Sequence, residues 1–329
     1  MSNETISMPQ YHRTLVIEDT VDAYDNLMRR CAGLEPIPAA VAHPCDKASL
    51  TGPVEAAEAG LIVPILVGPA NKVRATAKEF GLDISPYRLL DVPHSHAAAA
   101  TAVELVRSGE AELLMKGSLH TDELMTEVVN KQTGLRTERR ISHAFLLDVP
   151  TYDKVLIVTD AAINIAPDLK TKRDICQNAI DLACALGAEQ PRVAILSAVE
   201  TVNPAIPSTI DAAALCKMAD RGQITGGALD GPLALDNAIS PEAARIKGIT
   251  SAVAGQADIL LVPDLEAGNI LVKQLTFLNR ADAAGIVLGA RVPIILTSRA
   301  DSVRTRMASC SVAVLLAHTR RTQRELHVS

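Results

Sequence analysis

A few short segments concentrate the residue types from which an anion-handling site is built. Lys116-Gly117-Ser118-Leu119-His120-Thr121 places an ammonium, a small turn residue, two hydroxyls and an imidazole in one stretch. Backbone donors at a helix start, joined by a lysine, suit a phosphate-like group. Ser298-Arg299, with Asp301 two residues on, follows the very apolar run Ile294-Ile295-Leu296, where burial asks for neither a hydroxyl nor a guanidinium. A guanidinium grips an anion through paired donors. A hydroxyl can donate to an oxygen that gains charge during reaction. The chain has no G-x-S-x-G elbow, so Ser298 need not form an acyl intermediate. Asn164 closes Asp160-Ala-Ala-Ile-Asn164, and Asp264 and Asn269 lie in Pro263-Asp264-Leu-Glu-Ala-Gly268-Asn269. Arg140 ends the basic run Arg136, Arg139, Arg140, which reads either as a solvated loop or as a landing place for the phosphates of a long anionic ligand.

Each segment has a plainer reading. Lys116-Gly117-Ser118 also fits a turn with a helix cap, and His120 fits a surface histidine. Gly226-Gly227 and Gly231 make no dinucleotide fingerprint and no Walker loop is present, so Gly231-Pro232 reads as a turn. His94 and His96 are two apart, not the four of a helical metal pair, and suit a helix start. Asp160 lies on a different strand end from Asp264 and Glu266, so no metal site is expected. The six cysteines form no C-x-x-C pair and read as reduced, buried side chains, with Cys176 and Cys184 on one helix face.

These segments matter because of the elements before them. Apolar runs at Ala39–His43, Pro64–Val67, Arg88–Val92, Ala111–Met115, Val155–Thr159, Val193–Ala198, Ile224–Leu229, Ile259–Val262, Gly285–Leu288 and Ile294–Thr297 read as strands. Many lack in/out alternation, as parallel strands covered on both faces do. Alanine-rich helical stretches separate them, one beginning after Ser95 and ending near Gly109, another starting near Pro167. The pattern is repeated β-α-β, hence an α/β fold with mainly parallel sheet, whose ligands bind beyond the carboxyl ends of strands. Ten strands suggest two sheets and two domains, with a weak boundary near Asp148–Asp153.

Composition narrows the partners. The 329 residues carry net charge −6, no Trp, 4 Tyr and 3 Phe. That argues against nucleic acid, which asks for a basic face and stacking aromatics. The most apolar stretch, Gly60 to Ala70, is too short to cross a membrane and is broken by Pro64 and Pro69, and no signal peptide is visible. A cytoplasmic protein is expected.

Beyond these residues, MKGSLHTDELM at 115–125, TDAAINIAPDL at 159–169, GGALDGPLALDNAIS at 226–240, ADILLVPDLEAGNILVKQL at 257–275 and PIILTSRADS at 293–302 resemble the phosphate acetyltransferase/phosphate butyryltransferase family. The GPLALDNAIS and TSRADS versions lie closer to the butyryltransferase branch. The resemblance implies two α/β/α domains with a cleft, similar to the isocitrate and isopropylmalate dehydrogenases. The second domain, 151–292, is then inserted into a first made of 1–150 plus 293–329. It implies the reaction acyl-CoA + phosphate = acyl phosphate + CoA, no tightly bound cofactor or metal, and a homodimer or larger homo-oligomer. Ser298 and Arg299 match the family's Ser-Arg pair, with Arg299 holding phosphate and Ser298 donating to the thioester carbonyl. Lys116, Gly117, Ser118, His120, Thr121, Arg140, Asn164, Asp264 and Asn269 would contact substrate. The acetyltransferases carry an Asp seven residues after that Ser, where this chain has Thr305; Asp301 is the substitute base or orienter. Two other readings remain: a metal- and NAD-dependent decarboxylating dehydrogenase on the same fold, and a non-catalytic CoA-binding protein.

Overall fold

The computed structural model describes residues 23–296 and 302–328. In chain order the elements are α1 (Ala23–Cys31), β1 (Ile37–Ala42), α2 (Lys47–Glu58), β2 (Ile62–Gly68), α3 (Ala70–Phe80), β3 (Arg88–Asp91), α4 (Ser95–Arg107), β4 (Leu113–Lys116), α5 (Thr121–Val129), β5 (Ser142–Asp148), β6 (Leu156–Thr159), α6 (Leu169–Ala185), β7 (Arg192–Leu196), α7 (Pro207–Asp220), β8 (Ala228–Leu233), α8 (Leu235–Ile239), α9 (Pro241–Ile246), β9 (Ile259–Leu261), α10 (Leu265–Phe277), β10 (Asp282–Leu288), β11 (Ile294–Ile295) and α11 (Val303–Val328). Short polar side chains start several helices: Asp46, His94, Asp168 and Asp264 each accept from a backbone N–H three residues on. Such a cap is worth about 1 kcal/mol.

All strands join one sheet in the order β3-β2-β1-β4-β11-β10-β5-β6-β9-β7-β8. The expectation of two sheets is therefore corrected. The missing link is β5, a strand the apolar pattern did not mark; it pairs antiparallel with β10 from Asp148↔Asp282 to Ser142↔Leu288. Because β11 and β5 both run against β10, and β6 runs against β5, the two halves of the sheet point in opposite directions. Within each half the other pairings are parallel.

Helices cover both faces. One face packs a large cluster against α2, α3, α6, α7 and α11. The other carries two clusters, one under α4 and α5 and one under α8 and α10. Strand β5 shows the alternation: Ala144 and Leu146 enter the first cluster, Phe145 and Leu147 the last.

Two more expectations change. Gly231-Pro232 lies inside β8, not in a turn. Pro lacks an N–H and is tolerated there because β8 is an edge strand. Gly231 is required by packing: a Cβ would meet Ile195 Cβ and its carbonyl oxygen at 2.8 Å. All six cysteines are free, but only Cys31, Cys176 and Cys310 are buried; Cys184 is exposed. Eight helical residues turn about 800°, which rotates Cys184 some 80° away from Cys176.

Candidate functional site

Three neighbouring strands end together. Ala42 of β1 lies opposite Lys116 of β4, and Ile295 of β11 lies opposite Met115. The loops leaving these strands therefore share one end of this half-sheet. After β4, Gly117 packs so tightly that a Cβ would stand 2.3 Å from the Ala42 carbonyl oxygen and 2.5 Å from that of His43. Only glycine fits. Lys116 is half-buried, its ammonium donating to the Gly117 and Leu119 carbonyls at 3.2 Å. Ser118 Oγ donates to the His43 carbonyl at 2.8 Å and lies 2.9 Å from His43 Nδ1. His120 and Thr121 are exposed at the start of α5. Ser298, Arg299 and Asp301 lie outside the described residues. On their far side Ser302 starts α11: its hydroxyl accepts from the Thr305 N–H at 3.0 Å and donates to Thr305 Oγ1 at 3.1 Å.

A second polar group forms after β6. Asp160 is 2% exposed, yet its carboxylate is fully employed. Oδ1 accepts from the N–H groups of Ala162 and Ile163, and Oδ2 from the N–H and side-chain amide of Asn164. The same Asn164 amide donates to the Ile141 carbonyl, while its Oδ1 accepts from Arg140 Nε at 3.3 Å. Asp174 in turn accepts from the Arg140 backbone N–H. Arg140, Asn164 and Asp160 are thus one network. The start of α10 interlocks with it, since a Cβ on Gly268 would lie 3.0 Å from the Asp160 carbonyl oxygen. Asn269 Nδ2 reaches the Ala161 carbonyl at 3.5 Å. Asp264 serves as the α10 cap. Among the described residues no group of three or more His, Cys, Asp or Glu could hold a metal. Arg139 is drawn away from the site into a pair with Asp181.

Ile163 bridges the groups: it packs on the cluster that contains Leu119, Leu124 and Ile294. His143 marks the floor between the halves. Its cross-strand partner Val287 belongs to the cluster under α4 and α5, and its ring lies 4.3 Å from that of Phe145, which packs under α8 and α10. Its Nδ1 is buried without a hydrogen-bond partner. Burial holds the imidazole neutral, pushing its pKa from 6.5 down to about 4 against the opposing pull of Asp160. The unfolded chain therefore takes up a proton as pH falls through 6.5, before the folded one does. This contribution to stability is intact above 6.5 and lost between 6.5 and about 4. From pH 7.5 to 5 the loss is about 2 kcal/mol. Urea unfolding of His143→Gln at both pH values should show a drop smaller than the wild type's by that amount. An identical drop would show that this imidazole does not titrate differently on unfolding.

Sequence reasoning missed His43, because the predicted strand Ala39–His43 absorbed it. Ending that strand at Ala42 would have placed it among the strand-end residues. It also missed Glu123, whose Oε2 is buried without a hydrogen-bond partner, and Asp174. Glu123 sits in the first turn of α5 and Asp174 inside α6, positions that local spacing does not distinguish from solvated ones.

Comparison with known proteins identifies the family and the fold. A family model described as "Phosphate acetyl/butaryl transferase" matches residues 94–314. A phosphate acetyltransferase of Rhizobium meliloti is 68% identical over 298 residues, covering 91% of this chain and 94% of its own length. A phosphate butyryltransferase of Clostridium beijerinckii is 44% identical over 294 residues, covering 89% and 97%. The crystal structure of a branched-chain phosphotransacylase from Enterococcus faecalis V583 superposes with TM-score 0.75 at 31% identity, covering 86% of this chain and 99% of its own. No helix among the described residues is long and apolar enough to cross a membrane. The chain belongs to the phosphate acetyl/butyryl transferase family and is an acyltransferase of that family.

Proposed function

We propose that the chain moves a short acyl group between CoA and phosphate, with phosphate held by Arg299, Ser298 and the Lys116–Ser118 turn. Asp301 orients Arg299. CoA enters between the halves of the sheet, past Arg140, Asn164, Asp264 and Asn269 on one side and His120 and Thr121 on the other. The supporting observation is the common end of β1, β4 and β11, which sets the Lys116 turn beside the strand that leads to Ser298. The start of α11 at Ser302 adds a helix N-terminus, a favourable place for a doubly charged anion.

Acetyl is the first candidate for the acyl group, because the relative at 68% identity bears the acetyltransferase name. Butyryl is the second, supported by the GPLALDNAIS and TSRADS wording of the motifs. One methylene is worth about 1–3 kcal/mol in an apolar pocket, so a few side chains decide between them. On the same reading 1–150 with 293–329 forms one domain and 151–292 the other. The working protein is then a cytoplasmic homo-oligomer without a tightly bound cofactor.

The test is thiol release from acetyl-, propionyl- and butyryl-CoA, with and without phosphate, in EDTA. Phosphate-dependent release that survives EDTA is expected, and the order of kcat/KM assigns the acyl group. No release from any of the three would overturn the reading in favour of a CoA-binding protein.

A further inference from the structure

His43 lies one residue beyond β1 with φ +57, a left-handed conformation for a residue with a side chain. Such a backbone persists only where its surroundings hold it. Ser118 is a large part of that hold. Its hydroxyl lies 2.8 Å from the His43 carbonyl oxygen and 2.9 Å from His43 Nδ1. Each contact needs a hydrogen between its heavy atoms, and the hydroxyl has one. A carbonyl cannot supply the other, so the hydroxyl proton goes to the carbonyl and Nδ1 carries its own. The tautomer is thereby fixed, and Nε2 keeps its lone pair. No described residue hydrogen-bonds to Nε2. The ring is half-buried, at the level where β4 and β11 also end.

We propose that His43 Nε2 is the proton carrier of the acyl transfer, taking the thiol proton of CoA and delivering it to the departing phosphate. The proposal deepens the acyltransferase reading and rests on it. In the direction acyl phosphate + CoA, the thiol proton passes to Nε2 as sulfur attacks the acyl carbon. The C–S bond forms, the carbonyl electrons move onto oxygen, and their return breaks the bond between the acyl carbon and the bridging oxygen, which leaves with the phosphate. The imidazolium then protonates the leaving phosphate, so that the products are acyl-CoA and HPO4²⁻ and the histidine is restored. The reverse direction takes the same steps backwards. It also accounts for Thr305: with the histidine present, no carboxylate is needed at that position.

The charges around the ring suit this role. Desolvation and the Lys72 ammonium on α3 hold the His43 pKa below 6.5, while Glu123 on α5 and Asp46 before α2 pull it upward. The imidazole is thus neutral and basic at pH 7. Glu123, with one oxygen buried and unbonded, is at hand for the imidazolium when it forms. Its other oxygen faces His96 at 3.9 Å.

The experiment measures acyl-CoA formation from acetyl phosphate or butyryl phosphate and CoA between pH 5 and 9. It compares wild type, His43→Asn and His43→Gly, both of which accept a positive φ. Wild type should lose kcat/KM for CoA on the acid side, with an apparent pKa below 6.5. Both variants should fall by about 10²–10⁴-fold, the range for loss of a general base, with the KM for acyl phosphate little changed and the acid limb gone. Free imidazole should restore activity to His43→Gly. Ser118→Ala, which releases the tautomer, should lose less and keep an acid limb. An active wild type beside His43→Asn with an unchanged limb and rate overturns the proposal and leaves the acyltransferase reading intact. A wild type inactive with every acyl phosphate overturns the reading, and this proposal with it.

Discussion

Arg299→Ala is expected to lower kcat/KM for phosphate by about 10- to 1000-fold, through a higher KM or a lower kcat. That range is the loss of one charge-assisted anion contact, worth about 1.5–4 kcal/mol. The guanidinium follows Ile294-Ile295-Leu296, an apolar run with no structural use for it, and precedes the helix start at Ser302. Lysine at 299 should recover little, since a point charge does not replace two parallel donors. Ser298→Ala should behave differently. If its hydroxyl bonds the acyl oxygen only as charge develops there, kcat falls while KM stays nearly constant. The two variants, assayed with phosphate varied at saturating acyl-CoA, separate holding the nucleophile from stabilising the transition state. An unchanged kcat/KM in Arg299→Ala would remove that residue from the site.

Asp160→Ala carries the second large effect, on stability. Removing its carboxylate strips the acceptor from three backbone N–H groups and the Asn164 amide in one stroke. Each buried donor left without an acceptor costs about 1–3 kcal/mol, so the loss should reach several kcal/mol unless water fills the gap. Asn at this position keeps one carbonyl oxygen, and with it two of the four bonds, so its loss should be intermediate. The measurement is the urea midpoint at constant slope. Because Arg140 and Asn164 are anchored through the same loop, activity should fall in the same order. A midpoint equal to wild type in Asp160→Ala would contradict the network.

The pattern of apolar runs locates most strands because parallel strands covered on both faces need little else. It fails where a strand has no punctuation of its own. Ser142–Asp148 runs from the basic loop at Arg139-Arg140 straight towards Pro150, so it reads as the edge of a boundary, although it joins the two halves of the sheet. It misplaces β8 because Gly231-Pro232 is strong turn punctuation, overridden there by an edge position and the close approach of Ile195. The strand-end residues are legible as candidates, since their types are wasteful anywhere else. Their grouping is not. That the Lys116 turn belongs beside β11, some 180 residues later, comes from the order β1-β4-β11, which no local spacing encodes.

That order has a consequence for biosynthesis. Strands β4 and β10 are both made before β11, the two-residue strand that separates them in the finished sheet. Until residues 294–295 emerge, β4 and β10 are open edges with unpaired backbone groups facing each other. Open apolar edges of this kind recruit other chains. A nascent or prematurely terminated chain ending before β11 is thus the species most in need of a chaperone, because it lacks both the closing strand and α11, which covers the large cluster on one face.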